Sequence, residues 1–210
     1  MIVVVGGIKG GTGKTTIATN LATHNLQRSC STLIIDADEQ GSACDWSNQR
    51  PDEIAIPTTI MKGGKIHREI QSFKDKYDRI IVDVGGRDTI TQRSALTVAD
   101  TFLIPFKPRS FDIWTLGAIR NMIDEVLTIN PKLKCYYVIN QGDSRGSDNT
   151  SAIQILSEFP SLLFTTVIGH RKIFADAASE GKGINEMPKK DDKATSEIET
   201  LMDCIYPKYK

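Results

Sequence analysis

The densest chemistry in this 210-residue chain lies in eight consecutive residues, Lys9-Gly10-Gly11-Thr12-Gly13-Lys14-Thr15-Thr16. Glycines let successive backbone N–H groups converge on anionic oxygens, and a helix opening at the end of such a loop adds the positive end of its dipole. A lysine at that point supplies a mobile cation for β- and γ-phosphates, and a hydroxyl one residue later can ligate Mg²⁺. The apolar, β-branched run Ile2 to Val5 precedes the segment. Ile17, Ala18, Leu21, Ala22 and Leu26 follow it at helical spacing. A chance glycine turn does not account for both flanks. The strict pattern GxxxxGK[ST] is not met, because its first glycine would fall on Ile8.

Further acids stand where strands are expected to end. Asp36-Ala37-Asp38-Glu39-Gln40-Gly41-Ser42 follows one apolar run, with Asp38 open to reading as a turn-forming residue. Ile80-Ile81-Val82-Asp83 is an apolar run closing on a carboxylate, the arrangement that holds Mg²⁺ beside a phosphate loop. Gly85 and Gly86, directly after it, give a loop the freedom to respond to a γ-phosphate. Arg87 and Asp88 can pair with each other or contact a partner subunit. Asn140 ends a later strand, with an amide that both donates and accepts.

These residues need a frame that brings strand ends together. The pattern predicts strands at 2–5, 32–35, 79–84, 101–105, 135–140 and 165–168. It predicts helices at 14–27, 66–73, 92–98, 112–129, 151–159 and 194–206. Alternation of this kind predicts an α/β fold, a mostly parallel twisted sheet with helices on both faces, in a single domain over 1–210. Ligands in such sheets sit beyond the carboxyl ends of the strands.

Composition bounds the rest. Lys plus Arg and Asp plus Glu total 26 each, so no global positive field draws the chain to nucleic acid, and any DNA contact must be local. The apolar runs fall far short of the roughly 18–20 residues of a membrane span. The chain opens on Met1 and a strand-like run, so neither an export leader nor an N-terminal DNA-binding domain is expected, and the cytoplasm is the default. Cys30, Cys44, Cys135 and Cys204 share no CxxC spacing, which disfavours a zinc or iron–sulfur site within one chain. His24, His67 and His170 show no ligand spacing, so no metal besides Mg²⁺ is expected. In the tail, Ile198, Leu201, Met202 and Ile205 form an apolar face. Glu197, Glu199 and Asp203 occupy the side where a membrane helix would carry cations, so packing on the core is expected.

The segment KGGTGKT resembles the deviant P-loop of the ParA/MinD family of ATPases, and within it the small plasmid and chromosome partition proteins. The likeness runs over residues 1–188 in motif order, and it is most specific at Lys9 to Thr16. Glu39 stands where the family's second signature usually has proline. The resemblance implies ATP and Mg²⁺ as ligands, with Gly10, Gly11, Thr12, Gly13, Lys14, Thr15 and Thr16 around the phosphates and Asn140 at the adenine. It places Thr15, Asp38 and Asp83 at Mg²⁺ and makes Lys9, Lys14 and Asp38 the catalytic residues, with Asp38 positioning water. Lys9 would reach across a sandwich homodimer to the partner's phosphates, and Asp112 would lie on the dimer face or simply cap a helix. The function implied is DNA partition. The ATP dimer would bind nonspecific DNA at the nucleoid, and a DNA-bound, ParB-like partner would stimulate slow, switch-like hydrolysis. Arg171 and Lys172 are candidates for the DNA contact, against an ordinary mixed-charge surface that includes Asp191 and Asp192. The alternatives are a relative acting in conjugation or membrane and cell-division positioning, or a small-molecule ligase of the dethiobiotin synthetase type.

Overall fold

The computed structural model describes residues 1–87, 89–108, 113–143 and 147–206, with backbone alone at 113 and 114. Its strands are β1 (Ile2–Val5), β2 (Thr32–Ala37), β3 (Thr58–Ile60), β4 (Arg79–Val84), β5 (Thr101–Phe106), β6 (Lys134–Gly142) and β7 (Leu162–Gly169). They form one sheet in the order β3-β2-β4-β1-β5-β6-β7 with every pairing parallel. The helices are α1 (Lys14–Gln27), α2 (Ser42–Asn48), α3 (Ile66–Ser72), α4 (Ile90–Leu96), α5 (Ile113–Ile129), α6 (Asp148–Ser157), α7 (Lys172–Ser179) and α8 (Asp192–Ile205).

A parallel sheet needs cover on both faces, and the strands divide their side chains accordingly. Ile2 and Val4 of β1 join a core under α3, α4, α5 and α6, whereas Val3 and Val5 join one under α1, α2, α7 and α8. The side chains of all four β1 residues are buried. This is the expected α/β architecture. The central strands β4, β1 and β5 carry the P-loop and its neighbours at their carboxyl ends. In register, Val5 lies opposite Asp83 and Leu103.

Several boundaries moved. The helix expected at 92–98 starts two residues earlier, because the Thr89 hydroxyl caps it by accepting from the Gln92 N–H. The helix expected at 151–159 runs 148–157, and the last strand extends to eight residues. Among the described strands and α-helices, three were not expected at all: α2, α7 and the three-residue edge strand β3. The tail behaves as expected. Asp191 caps α8 through the Ala194 N–H, and Ala194, Ile198, Leu201, Met202 and Ile205 are buried in the second core. Among the described residues no helix is long and apolar enough to cross a membrane.

A strap holds α2 to the segment between α7 and α8 on the same face of the sheet. The Arg50 guanidinium donates to the carbonyls of Ile54 and Gly181 and to both carboxylate oxygens of Glu186, and lies over the Trp46 ring. Trp46 Nε1 donates to the Lys182 carbonyl. The loop between β2 and α2, which carries Asp38, is thereby moored at its downstream end.

Candidate active site

The P-loop leaves β1 at Gly6 and enters α1 at Lys14. Gly11 (φ 71) and Gly13 (φ 86) adopt left-handed conformations that a side chain would strain. Gly13 also precedes the helix with no capping side chain, and the first turn of α1 carries no acid. Its N–H groups and dipole therefore remain available to an anion. Lys14 is 7% exposed, and its ammonium donates to the carbonyl of Lys9 at 3.1 Å. Burial lowers its pKa, opposed by the carboxylates of Asp83 and Asp38. Lys9 itself is exposed.

Thr15 Oγ1 donates to Asp83 Oδ2 at 2.6 Å, joining the start of α1 to the end of β4. Asp83 is 1% exposed, and burial pushes its carboxyl up to about 7. Its other oxygen, Oδ1, is buried without a hydrogen-bond partner. A bare carboxylate oxygen lying behind a threonine hydroxyl that lines the cleft fits Mg²⁺, which takes one or two protein oxygens and completes its shell with phosphates and water. The fit does not require a cage of acids, and no group of three or more His, Cys, Asp or Glu that could hold a metal occurs among the described residues.

Asp36 is fully buried and works for the fold. Its oxygens accept from the N–H groups of Asp38 and Cys44, which shapes the turn and pins the start of α2. Asp38 is left at the cleft, accepting from the Gln40 N–H. Gly85 lies against it: a Cβ there would come 3.3 Å from Asp38 Oδ1. At Gly86 a Cβ would meet Gly10 Cα and N at 2.6 Å and the Lys9 carbonyl carbon at 2.8 Å. Gly86 is thus pressed onto the P-loop backbone itself, and Gly85 onto Asp38. Together these segments border a cleft of about 1040 Å³.

The other sequence candidates divide. Thr12 and Asn140 are both buried, and Asn140 Nδ2 donates to the Thr12 carbonyl at 2.7 Å. One amide hydrogen of Asn140 is therefore spent on bracing the P-loop. Asp112 and Asp88 lie outside the described residues. Arg171 is committed within the chain: it pairs with both oxygens of Glu197, and its Nε lies 3.6 Å from Asp191. Lys172 is 88% exposed, with Asp176 at 3.5 Å. Lys62 and Gln141, which sequence reasoning did not single out, also line the cleft. Gln141 carried one available signal, its position directly after Asn140, and its left-handed backbone (φ 56) marks it in the structure.

Two outcomes follow. Gly86→Ala should weaken binding of a fluorescent ATP analogue by about tenfold or more, equivalent to roughly 1.4 kcal/mol, with the fold retained by circular dichroism; unchanged affinity would show that the glycine contact does not set the loop. The second concerns pH. With a folded pKa of about 7 for Asp83 against roughly 3.9 unfolded, the folded state holds the proton more tightly. The contribution of this group to stability is complete below pH ~4 and is lost as pH rises through 7. Asp83→Asn, assayed without metal or nucleotide, should therefore melt higher than the parent at pH 8, on the order of 5 °C, with the difference vanishing near pH 4. A lower melting point at pH 8 would contradict this.

Comparison with known proteins agrees with the geometry. The family model described as CobQ/CobB/MinD/ParA nucleotide binding domain matches residues 3–184. Maintenance of carboxysome distribution protein A of Halothiobacillus neapolitanus is 27% identical over 207 residues, spanning 97% of this chain and 95% of that protein. Two solved structures share the fold. One is an ATP complex of a variant of McdA from Cyanothece, with a TM-score of 0.80 at 16% identity over 100% of this chain and 97% of that one. The other is a putative plasmid partition protein from Borrelia burgdorferi bound to AMPPNP, with a TM-score of 0.78 at 19% identity over 99% of both chains. With the family model covering most of its length, the P-loop and Asp38 lining one cleft and Asp83 bonded to Thr15 beneath it, this chain belongs to the CobQ/CobB/MinD/ParA family of nucleotide-binding domains.

Proposed function

We propose that this chain is a single-domain partition ATPase whose ATP-bound sandwich homodimer binds DNA without sequence preference and is released by hydrolysis. The observation that carries the reading is the opposite disposition of two lysines on one loop: Lys14 is buried at the mouth of α1, while Lys9, five residues earlier, is exposed. A loop that needed only to bind ATP would be served by Lys14. An exposed second lysine at the rim suits a phosphate presented by another subunit.

On this reading the triphosphate lies against the N–H groups of Gly10 to Lys14. When ATP arrives, Lys14 exchanges its contact with the Lys9 carbonyl for β- and γ-phosphate oxygens. Thr15 and Asp83 would hold Mg²⁺, which would supply charge neutralisation at those oxygens. Asp38, on a turn stiffened by Asp36, orients the attacking water. Charge spreading over the γ-oxygens as the bond to the β-phosphate loosens is met by Lys9 of the partner subunit, as an arginine finger would meet it. Asn140 braces the cradle through Thr12 and has its second amide hydrogen and its oxygen for the adenine.

Turnover on this design is slow, because its output is a shift between monomer and dimer. A DNA-bound partner protein would accelerate it, and the dimer would reside on the nucleoid in the cytoplasm. The DNA contact falls to exposed cations such as Lys172, Lys189 and Lys190, since Arg171 is held by two carboxylates. A second reading has the same cycle positioning a protein-built body in place of a replicon. It is favoured by the relative named for carboxysome distribution, which matches nearly end to end.

Lys9→Ala tests the core of the proposal. It should bind ATP with near-parental affinity, because Lys14 remains, yet lose turnover by about 100-fold or more, as arginine-finger losses do. Full turnover in this variant would overturn the trans role of Lys9.

A further inference from the structure

Helix α4 follows the Gly85–Gly86 loop, and its third residue, Gln92, is a fully buried carboxamide. Gln92 Oε1 accepts from the Gly7 N–H at 3.1 Å. Because a backbone N–H can only donate, this contact fixes which end of the amide is oxygen. The Nε2 end is poorly served: it meets Met122 Sδ of α5 at 3.0 Å, and sulfur is a weak acceptor. A side chain present only to fill the core would be apolar here, since a half-satisfied buried amide costs stability. What the amide supplies is a partner for a P-loop N–H that would otherwise be orphaned, because the strand pairing of β1 ends one residue earlier with Gly6 N–H to the Leu103 carbonyl.

Gly6 shows how tightly the three segments meet. A Cβ there would come 2.6 Å from Val84 Cγ2, 2.8 Å from Gln92 Oε1 and 2.9 Å from the Phe102 ring. Val84 is the last residue of β4 before the glycine pair. The lead-in to Lys9, the end of β4 and the helix after Gly86 thus share one packed junction. The same helix reaches outward as well: Thr91 Oγ1 accepts from the Gly63 N–H, and Ser94 Oγ donates to the Gly64 carbonyl, holding the loop that carries Lys62.

We propose that Gln92 is a positioning residue for Lys9: its carboxamide ties the Gly6–Gly7 lead-in of the P-loop to helix α4, so that Lys9 takes up its place according to where α4 lies. This rests on the reading of Lys9 given above. A γ-phosphate drawn against Gly85 and Gly86 shifts the start of α4, and the Gly7 contact carries that shift to the base of the loop two residues ahead of Lys9. Nucleotide capture, which uses Gly10 to Thr15, does not depend on the tie.

The test uses the full chain with Gln92→Met, which keeps the volume and removes the acceptor oxygen, and Gln92→Glu, which keeps an acceptor. ATPase kinetics and hydrogen exchange over residues 6–9 are measured with Mg·ADP and with Mg·ATP. Gln92→Met should leave KM and ATP affinity within about twofold, lower kcat by about tenfold, and abolish the exchange difference between the two nucleotides, while Gln92→Glu retains most of kcat and that difference. Parental kcat in Gln92→Met, or an equal fall in Gln92→Glu, would overturn the proposal in favour of mere packing. Lys9→Ala separates the two readings. If that variant turns over normally, the trans-lysine reading has failed, and the exchange difference alone judges Gln92: its persistence in Gln92→Met overturns the tie, and its loss sustains it.

Discussion

The site depends on backbone lying directly on backbone. Gly86 approaches Gly10 and the Lys9 carbonyl so closely that no side chain fits between them, and Gly13 is likewise closed off by the amide of Asn140. A phosphate cradle works only if its N–H groups converge at fixed positions, and a loop of glycines has no side chains with which to hold itself. The neighbours supply the rigidity: Asn140 of β6 and Gly86 after β4 hold the cradle itself, while Gln92 of α4 holds only the lead-in at Gly7. The parallel sheet order places β4 and β5 on either side of β1, which is why these supports converge on the one loop. Any movement of the glycine pair after β4 is therefore felt by the loop that bears both lysines.

Charge burial is the second consequence of that geometry. Asp36, Asp83 and Lys14 are all nearly inaccessible, and buried charge is costly unless it is paired. Asp36 is satisfied by two backbone N–H groups and stabilises a turn. Asp83 is only half satisfied, and its raised pKa expresses the imbalance. Lys14 waits on a backbone carbonyl, with its own pKa lowered. The two are of opposite charge and are each prepared for a ligand of opposite sign. On the proposed function, the free state forgoes stability that Mg²⁺ and a triphosphate would restore, so that ligand binding and folding would be linked.

Much of this was legible in the sequence because the chemistry constrains residue types. Only glycines fit the left-handed turns of the P-loop, and only an acid at the end of an apolar strand can reach a metal from β4. Lys14, Thr15 and Asp83 were singled out on those grounds, and Lys9 and Asp38 through the family resemblance; the structure places Lys14, Thr15 and Asp38 at one cleft, with Asp83 buried against Thr15 and Lys9 exposed on the same loop. What stayed hidden were contacts between residues far apart in the chain. Arg171 read as a surface cation because Glu197, its partner 26 residues on, leaves no local mark. Gln92 was not singled out, since nothing in its surroundings announces a bond across 85 positions to Gly7. Lys62 was missed because the strand before it is three residues long and lies at the sheet edge, too short to give a period. Helix α7 was missed because only two residues separate it from β7, which leaves no turn signal to mark a new element.

The account's central claim is that two copies of the chain close face to face on ATP. It is tested most directly by sedimentation velocity on the hydrolysis-blocked variant Asp38→Asn, saturated with Mg·ATP. The account predicts a single species at twice the 23.2 kDa chain mass, reverting to the single-chain mass when ADP replaces ATP. A boundary that stays at the mass of one chain with ATP bound would contradict it.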